Sequence, residues 1–351
     1  MRAINVFGIL ILCFMKTTGS IAMANNLLFP DINCKKTNSS IDKLICDDPN
    51  LNYLHKKMSE YYDNADKLLS KQGANNLFDE QKEWLNNSAK VCNMPPSIDF
   101  NKNNWYIYSN CLTDYYKKRN YELFKKNFTH LGNHTVNVTG KIEFRDFYVT
   151  GMLTKREIIA LKKIDLIPGG FKVKQYRLIV NNCNDLEKYY KYIDTSNDTI
   201  GDYVVLHMSV ICSMLNNLNK EKPPRTSFLK DVKLSDAKFI SYELLPLINN
   251  DGTDKIELYK KQGKIVENLI KDGIVKLKVN SDKSLSIYFN EMENDIDEIA
   301  RGDFTGNGIE SILVTIATKS IEGSYHTFST GLITRLNDSS QFLYTQQWPV
   351  N

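Results

Sequence analysis

Two sets of side chains in this 351-residue chain have the types and spacing to do chemistry. The first is a series of cysteines, Cys34, Cys46, Cys92, Cys111, Cys183 and Cys212, with Cys13 set apart in an apolar N-terminal run. Paired thiols in an oxidising compartment give disulfides. The second is the run Arg301-Gly302-Asp303-Phe304-Thr305-Gly306-Asn307-Gly308-Ile309-Glu310-Ser311, which follows the D-x-[DN]-x-[DN]-G pattern of calcium loops. Its candidate ligands are Asp303, Thr305, Asn307 and Ser311. Only Asp303 is a carboxylate, and Glu310 is one residue out of place, so any calcium site here is expected to be weak. The competing use of the same residues is a turn held by its Asx side chains, leading into the apolar strand Ile312-Leu313-Val314.

No catalytic pattern accompanies them. The chain has no C-x-x-C, H-E-x-x-H, G-x-S-x-G or phosphate-loop sequence. His130 and His134 are four apart, but Gly132 and Asn133 between them prevent a helical face from presenting both. Asp295, Asp297 and Glu298 read as a solvated acidic stretch rather than a spaced pair of catalytic carboxylates. Catalytic residues are therefore expected to be none, and cofactors none apart from the weak calcium candidate.

The meaning of the cysteines depends on what precedes them. Residues 1–24 read as a signal peptide: Arg2, an apolar run from Val6 to Met15, then the small-residue cleavage signal Ala22-Met23-Ala24. The run is about half the length of a spanning helix, and no later stretch is more apolar, so no stable membrane span is expected. Removing Arg2 and Lys16 with the leader leaves 43 of the 45 basic residues against 41 acidic ones. This near-neutral balance gives no footprint for nucleic acid. It also leaves six cysteines, for which three disulfides are the natural outcome, with Cys183 and Cys212 the pair set apart in the later part of the chain.

The elements that position these residues divide in two. Up to about residue 127 the apolar residues recur at helical spacing: Leu51, Leu54, Met58, Tyr61, Tyr62, Ala65, Leu68 and Leu69, then Leu77, Trp84, Leu85 and Val91, then Tyr115, Tyr116, Leu123 and Phe124. Asp47, Asp48, Pro49 and Asn50 provide a helix start. Beyond about residue 130 the period approaches two, with strands expected at 136–144, 172–180, 203–211, 274–279, 285–289, 309–316 and 331–335. The expected fold is α+β: a disulfide-stapled three-helix module at residues 25–130, followed at 131–351 by a β-rich, mostly antiparallel domain carrying the calcium-like hairpin near 303–311.

Cys34, Asp42, Ile45-Cys46, Asp47-Asp48-Pro49, Leu51, Leu54, Tyr61, Tyr62, Gln81-x-x-Trp84-Leu85, Cys92, Cys111-Leu112, Arg119 and Leu123 together resemble the lysozyme inhibitor LprI-like N-terminal domain family. The resemblance covers about residues 31–127. It implies an exported, helical, disulfide-bonded module, periplasmic or extracellular in a bacterium, whose partner is a lysozyme or another cell-wall hydrolase. The chain departs from the family pattern at Leu54-His55, where Leu-Asp is usual, and at Ser88-Ala89, where Arg-Asp is usual.

Within this frame Gln81, Trp84, Leu85 and Arg119 read as structural, because a tryptophan on an apolar helical stripe is ordinarily core. Trp105, Tyr106 and Tyr108 are the candidate partner contacts, placed by the sequence in an irregular segment before Cys111. The reading is a non-enzymatic exported binding protein that occludes a cell-wall hydrolase with loops at 94–110. The alternative is an envelope enzyme with an unrecognised active site in the β-rich domain and the helical module as a binding appendage.

Overall fold

A computed structural model describes residues 32, 34–37, 39–95, 105–126, 128, 135–167, 171–173, 178–190, 193, 199–247 and 250–348. The leader at 1–24, Cys13, His130 and His134 lie outside the described residues. The chain divides into a unit ending at Asn127 and a unit beginning at Phe128.

In the first unit Asp48 ends one helix and begins the next. Helix α1 (Ser40–Asp47) is capped by Ser39 and closes on Asp48. The Asp48 carboxylate then accepts from the N–H groups of Asn50 (2.8 Å) and Leu51 (3.2 Å), and Pro49 supplies the first turn of α2 (Pro49–Leu68). Helix α2 buries Leu51, Leu54, Met58, Tyr62 and Ala65. These alternate in steps of three and four, so they form one stripe. Helix α3 (Lys71–Val91) is capped by Ser70, and α4 (Trp105–Lys126) completes the module. Leu44, Ile45, Leu77, Leu112, Tyr116 and Leu123 meet the α2 stripe in one core. Cys34–Cys46 ties the entering chain to the end of α1, and Cys92–Cys111 ties the end of α3 to the second turn of α4.

The second unit is built on an antiparallel sheet of eight strands: β1 (Thr135–Glu143), β2 (Tyr148–Thr154), β5 (Lys276–Ser281), β6 (Ser284–Phe289), β7 (Met292–Gly302), β8 (Ser311–Ser320), β9 (His326–Thr334) and β10 (Leu343–Trp348). Strands β3 (Phe171–Val173) and β4 (Leu178–Val180) form a separate two-stranded sheet. The order β10-β9-β8-β7-β1-β2 branches at β7. One edge of β7 pairs with β8 from Met292 to Gly302. Its other edge is shared, the first half pairing with β6 and Ala300 pairing with Val138 of β1. At the fork Gly140 lies so close that a Cβ would sit 2.3 Å from the Glu298 carbonyl oxygen, so only glycine fits.

Both faces of this sheet are covered. Ile312, Val314, Ile316 and Ile333 face a core formed with Leu229, Leu234, Ile240, Leu244, Val266, Leu269 and Val275. That core includes residues of helices α8 (Asn250–Lys261) and α9 (Val266–Lys271). On the opposite face, Thr330 of β9 meets Ser213 of helix α7 (Thr199–Lys220) at 2.5 Å. Two short helices complete the unit: α5 (Lys155–Leu161), with a Thr154/Glu157 capping box, and α6 (Cys183–Tyr189), joined to α7 by Cys183–Cys212.

Three sequence expectations differ from this arrangement. Residues 203–211, expected as a strand, lie within α7. The helix is buried on nearly every side from Met208 through Leu218, so its apolar residues run continuously and their period disappears. Residues 172–180, expected as one strand, contain parts of β3 and β4. The acidic stretch at 295–298 forms the middle of β7, where Asp297 is exposed as expected, Asp295 is half-buried and Glu298 is buried. Asp295 is held by Ser286 and by Lys319 (2.9 Å), and Glu298 by Arg301 (2.8 Å). Burial alone would raise the Asp295 pKa, but the Ser286 hydroxyl and the Lys319 ammonium outweigh it, and the net shift is downward.

Candidate functional site

The calcium-like loop is a clamp made of its own hydrogen bonds. The Asp303 carboxylate is buried and accepts from the N–H groups of Gly306 (2.7 Å), Gly308 (2.8 Å) and Thr305 (3.2 Å) and from the Thr305 hydroxyl. Burial by itself would raise its pKa, yet these donors hold it below the usual carboxylate value. The Asn307 side-chain Oδ1 accepts from the Ile309 N–H, and the Ser311 hydroxyl pairs with Thr334 on β9. The four candidate ligands thus spend these oxygens on an Asx turn and a strand contact. Gly308, at φ +86°, gives the segment after α7 a place to dock, accepting from the Arg225 and Thr226 N–H groups. Among the described residues no group of three or more His, Cys, Asp or Glu side chains is placed to hold a metal ion.

The helical module offers a different arrangement, centred on α3 and α4. Gln81 is fully buried, its amide N–H 3.4 Å from the Met58 sulfur and its carbonyl accepting from the Arg119 guanidinium at 2.9 Å. Arg119 reaches Glu122 at 3.1 Å, and Lys126 reaches Glu80 at 3.0 Å. One turn after Gln81, the Trp84 ring stacks on Tyr115 with centroids 4.5 Å apart and planes within 8°, and it meets Tyr116 edge-on. The Tyr115 hydroxyl donates to the Trp84 carbonyl. Leu85 packs on the same core, and Ser88 is buried with its hydroxyl on the Leu85 carbonyl. These residues lock α3 onto α4 and α2, and that packing leaves little of them for a partner.

His55 stands on the other side of Tyr116, its Nδ1 3.3 Å from the tyrosine hydroxyl. Burial lowers its pKa below the ordinary 6.5, against the opposing pull of Asp42. His207 in α7 is lowered as well, again chiefly by burial, with Glu143 opposing. The sign follows from linkage: a histidine whose folded pKa is depressed binds protons more readily when unfolded. Its stabilising contribution is complete above the unfolded pKa, near 6.5, and falls as pH drops toward the folded value. The urea midpoint is therefore expected to be lower at pH 5.5 than at pH 7.5. A His55→Gln variant is expected to lose part of that dependence, and identical pH profiles would contradict the assignment.

Trp105, Tyr106 and Tyr108, expected in an irregular segment, form the first turn of α4. The helix continues through them because Trp105, Tyr108, Cys111, Leu112, Tyr115 and Tyr116 recur in steps of one, three and four, a stripe the sequence reading cut at Cys111. Trp105 and Tyr108 lie on the inner side, packed on the module core. Tyr106 (53 % exposed) and Ile107 (54 % exposed) lie on the outer side. Ile107 is one turn before Cys111, and the Cys92–Cys111 bridge, with Cα atoms 5.7 Å apart, brings the exposed Val91 to the same end of the module. Val91 and Ile107 were not singled out by sequence. A period-four reading of 103–112 would have placed Ile107 on the outer face.

Residues 34–123 match the family model described as Lysozyme inhibitor LprI, the stretch on which the sequence resemblance rests. No curated protein and no solved structure matches the chain. Among the described residues no helix is long and apolar enough to cross a membrane.

Proposed function

We propose that the protein is a non-enzymatic, extracytoplasmic binding protein whose helical module inhibits a lysozyme or a related cell-wall hydrolase by covering its cleft. The match of residues 34–123 to the lysozyme inhibitor family supports this reading, and three disulfides fit an oxidising compartment. The observation that carries the mode of action is the exposure of Tyr106 and Ile107 on a helix whose other aromatics are packed inward. A tyrosine and an isoleucine held rigidly on a disulfide-fixed helix lose little entropy on contact, the property of interface anchors. The bond cleavage in cell-wall lysis belongs to the hydrolase, and the inhibitor supplies only shape and exclusion of substrate.

The oxidised full-length protein is expected to slow lysis of cell-wall substrate stoichiometrically. A Tyr106→Ala/Ile107→Ser variant is expected to weaken inhibition about 10- to 100-fold, as loss of a central anchor does. Full inhibition by that variant would displace the contact surface. Absence of any effect of the wild-type chain at micromolar concentration would sink the inhibitor reading.

A further inference from the structure

The second unit contains a groove of about 430 Å³ between α6, α7 and β10, independent of the inhibitor reading. Its floor is the polar face of α7, where Ser209, Ser213, Asn216, Asn217 and Lys220 recur at helical spacing. The Cys183–Cys212 bridge fixes one wall, α6, against that floor. The opening is framed by two aromatic rings, Tyr190 at the end of α6 (45 % exposed) and Trp348 at the end of β10. Their centroids lie 6.1 Å apart with planes at 81°, an edge-to-face pair.

The polar groups of the groove are unevenly satisfied. Ser213 is paired with Thr330, and the Asn217 amide donates to the Ser213 carbonyl. Ser209 is only 3 % exposed, and its hydroxyl has no hydrogen-bond partner among the described residues. A buried hydroxyl in that state ordinarily pairs with water or a bound molecule. The charges are uneven as well: Glu187 is neutralised by Lys162 at 3.0 Å, whereas Lys220 stands exposed at the end of the α7 floor.

We propose that this groove is a binding subsite for a single saccharide ring bearing a carboxylate. A sugar is amphipathic by face. Its C–H surface stacks on Trp348 or Tyr190, and its rim of hydroxyls meets the side chains of Asn216, Asn217 and Gln347. Lys220 receives the carboxylate, a charge-assisted contact stronger than a neutral one. The volume falls within the range of about 300–1,000 Å³ usual for small-ligand pockets. Uronic acids and N-acetylmuramic acid both present this chemistry.

The test is saturation-transfer NMR on the oxidised full-length protein with glucuronic acid, N-acetylmuramic acid and glucose as separate probes. Transfer to at least one acidic sugar is expected, and the acidic sugar that binds identifies the source. Trp348→Ala, at the end of an edge strand, is expected to weaken that binding at least about tenfold. Lys220→Gln is expected to bring the acidic sugar down to the level of glucose. Circular dichroism checks that both variants are folded, and both are expected to inhibit lysis like the wild type, which separates this subsite from the helical module. Transfer to none of the probes, transfer unchanged by Trp348→Ala, or glucose bound as well as the acidic sugars would each overturn the proposal.

Discussion

Replacing Cys92 and Cys111 together by serine is expected to lower the stability of the helical module by about 3 kcal/mol, a fall in midpoint of about 10–20 °C for a domain of this size. The bridge closes a loop of sequence separation 19, and its removal returns that loop's freedom to the unfolded chain. A module of about 90 residues buries a modest core, so this contribution is a large share of its total stability. The bridge also joins the two backbone segments that carry Val91 and Ile107. Loss of inhibition is therefore expected along with loss of stability, and reductant should reproduce both in the wild type. Separate thermal transitions for the two units would place the change in the module alone. An unchanged midpoint in the serine variant would show that the helical core holds without its staple.

How far the sequence could be read depended on whether each element kept a contrast between its faces. Helix α2 exposes one side, so Leu51, Leu54, Met58, Tyr62 and Ala65 stand out against polar neighbours and the helix was legible. Strand β8 was legible for a different reason: its short apolar run follows a glycine-rich turn. Helix α7 has little such contrast, because from Met208 through Leu218 it is buried on nearly every side, and its valines and isoleucines imitate a strand. Strand β7 was obscured by its charges. Asp295, Asp297 and Glu298 suggest solvent; Asp297 does face it, whereas Lys319 for Asp295 and Arg301 for Glu298 make the other two compatible with a central strand. The same limit applies to the sites. Gln81 and Arg119 are 38 residues apart and could be read as structural from their stripe, whereas the groove between α6, α7 and β10 depends on residues from Leu186 to Trp348. No local spacing announces a cavity of that kind.

Arg301→Met is expected to cost about 3–5 kcal/mol, because it strips the partner from a buried carboxylate. Glu298 is 2 % exposed, and one of its oxygens takes both the Nη2 (2.8 Å) and Nε (3.1 Å) donors of Arg301. The other oxygen accepts from Thr139 on β1 at 3.0 Å. Arg301 also donates to the carbonyls of Leu229 and Val232, so a single guanidinium joins the forked edge of β7 to the segment that begins the second core. After its removal the carboxylate keeps the Thr139 hydroxyl and loses its counter-charge, which is far worse than losing both charges together. The Arg301→Met/Glu298→Leu double variant is accordingly expected to be more stable than Arg301→Met alone, a large coupling in a double-mutant cycle. Urea denaturation of the four proteins, followed by near-ultraviolet circular dichroism, measures that coupling directly. A cost below about 1 kcal/mol for the single variant would mean that water reaches Glu298 through the fork and that the pair behaves like a surface ion pair.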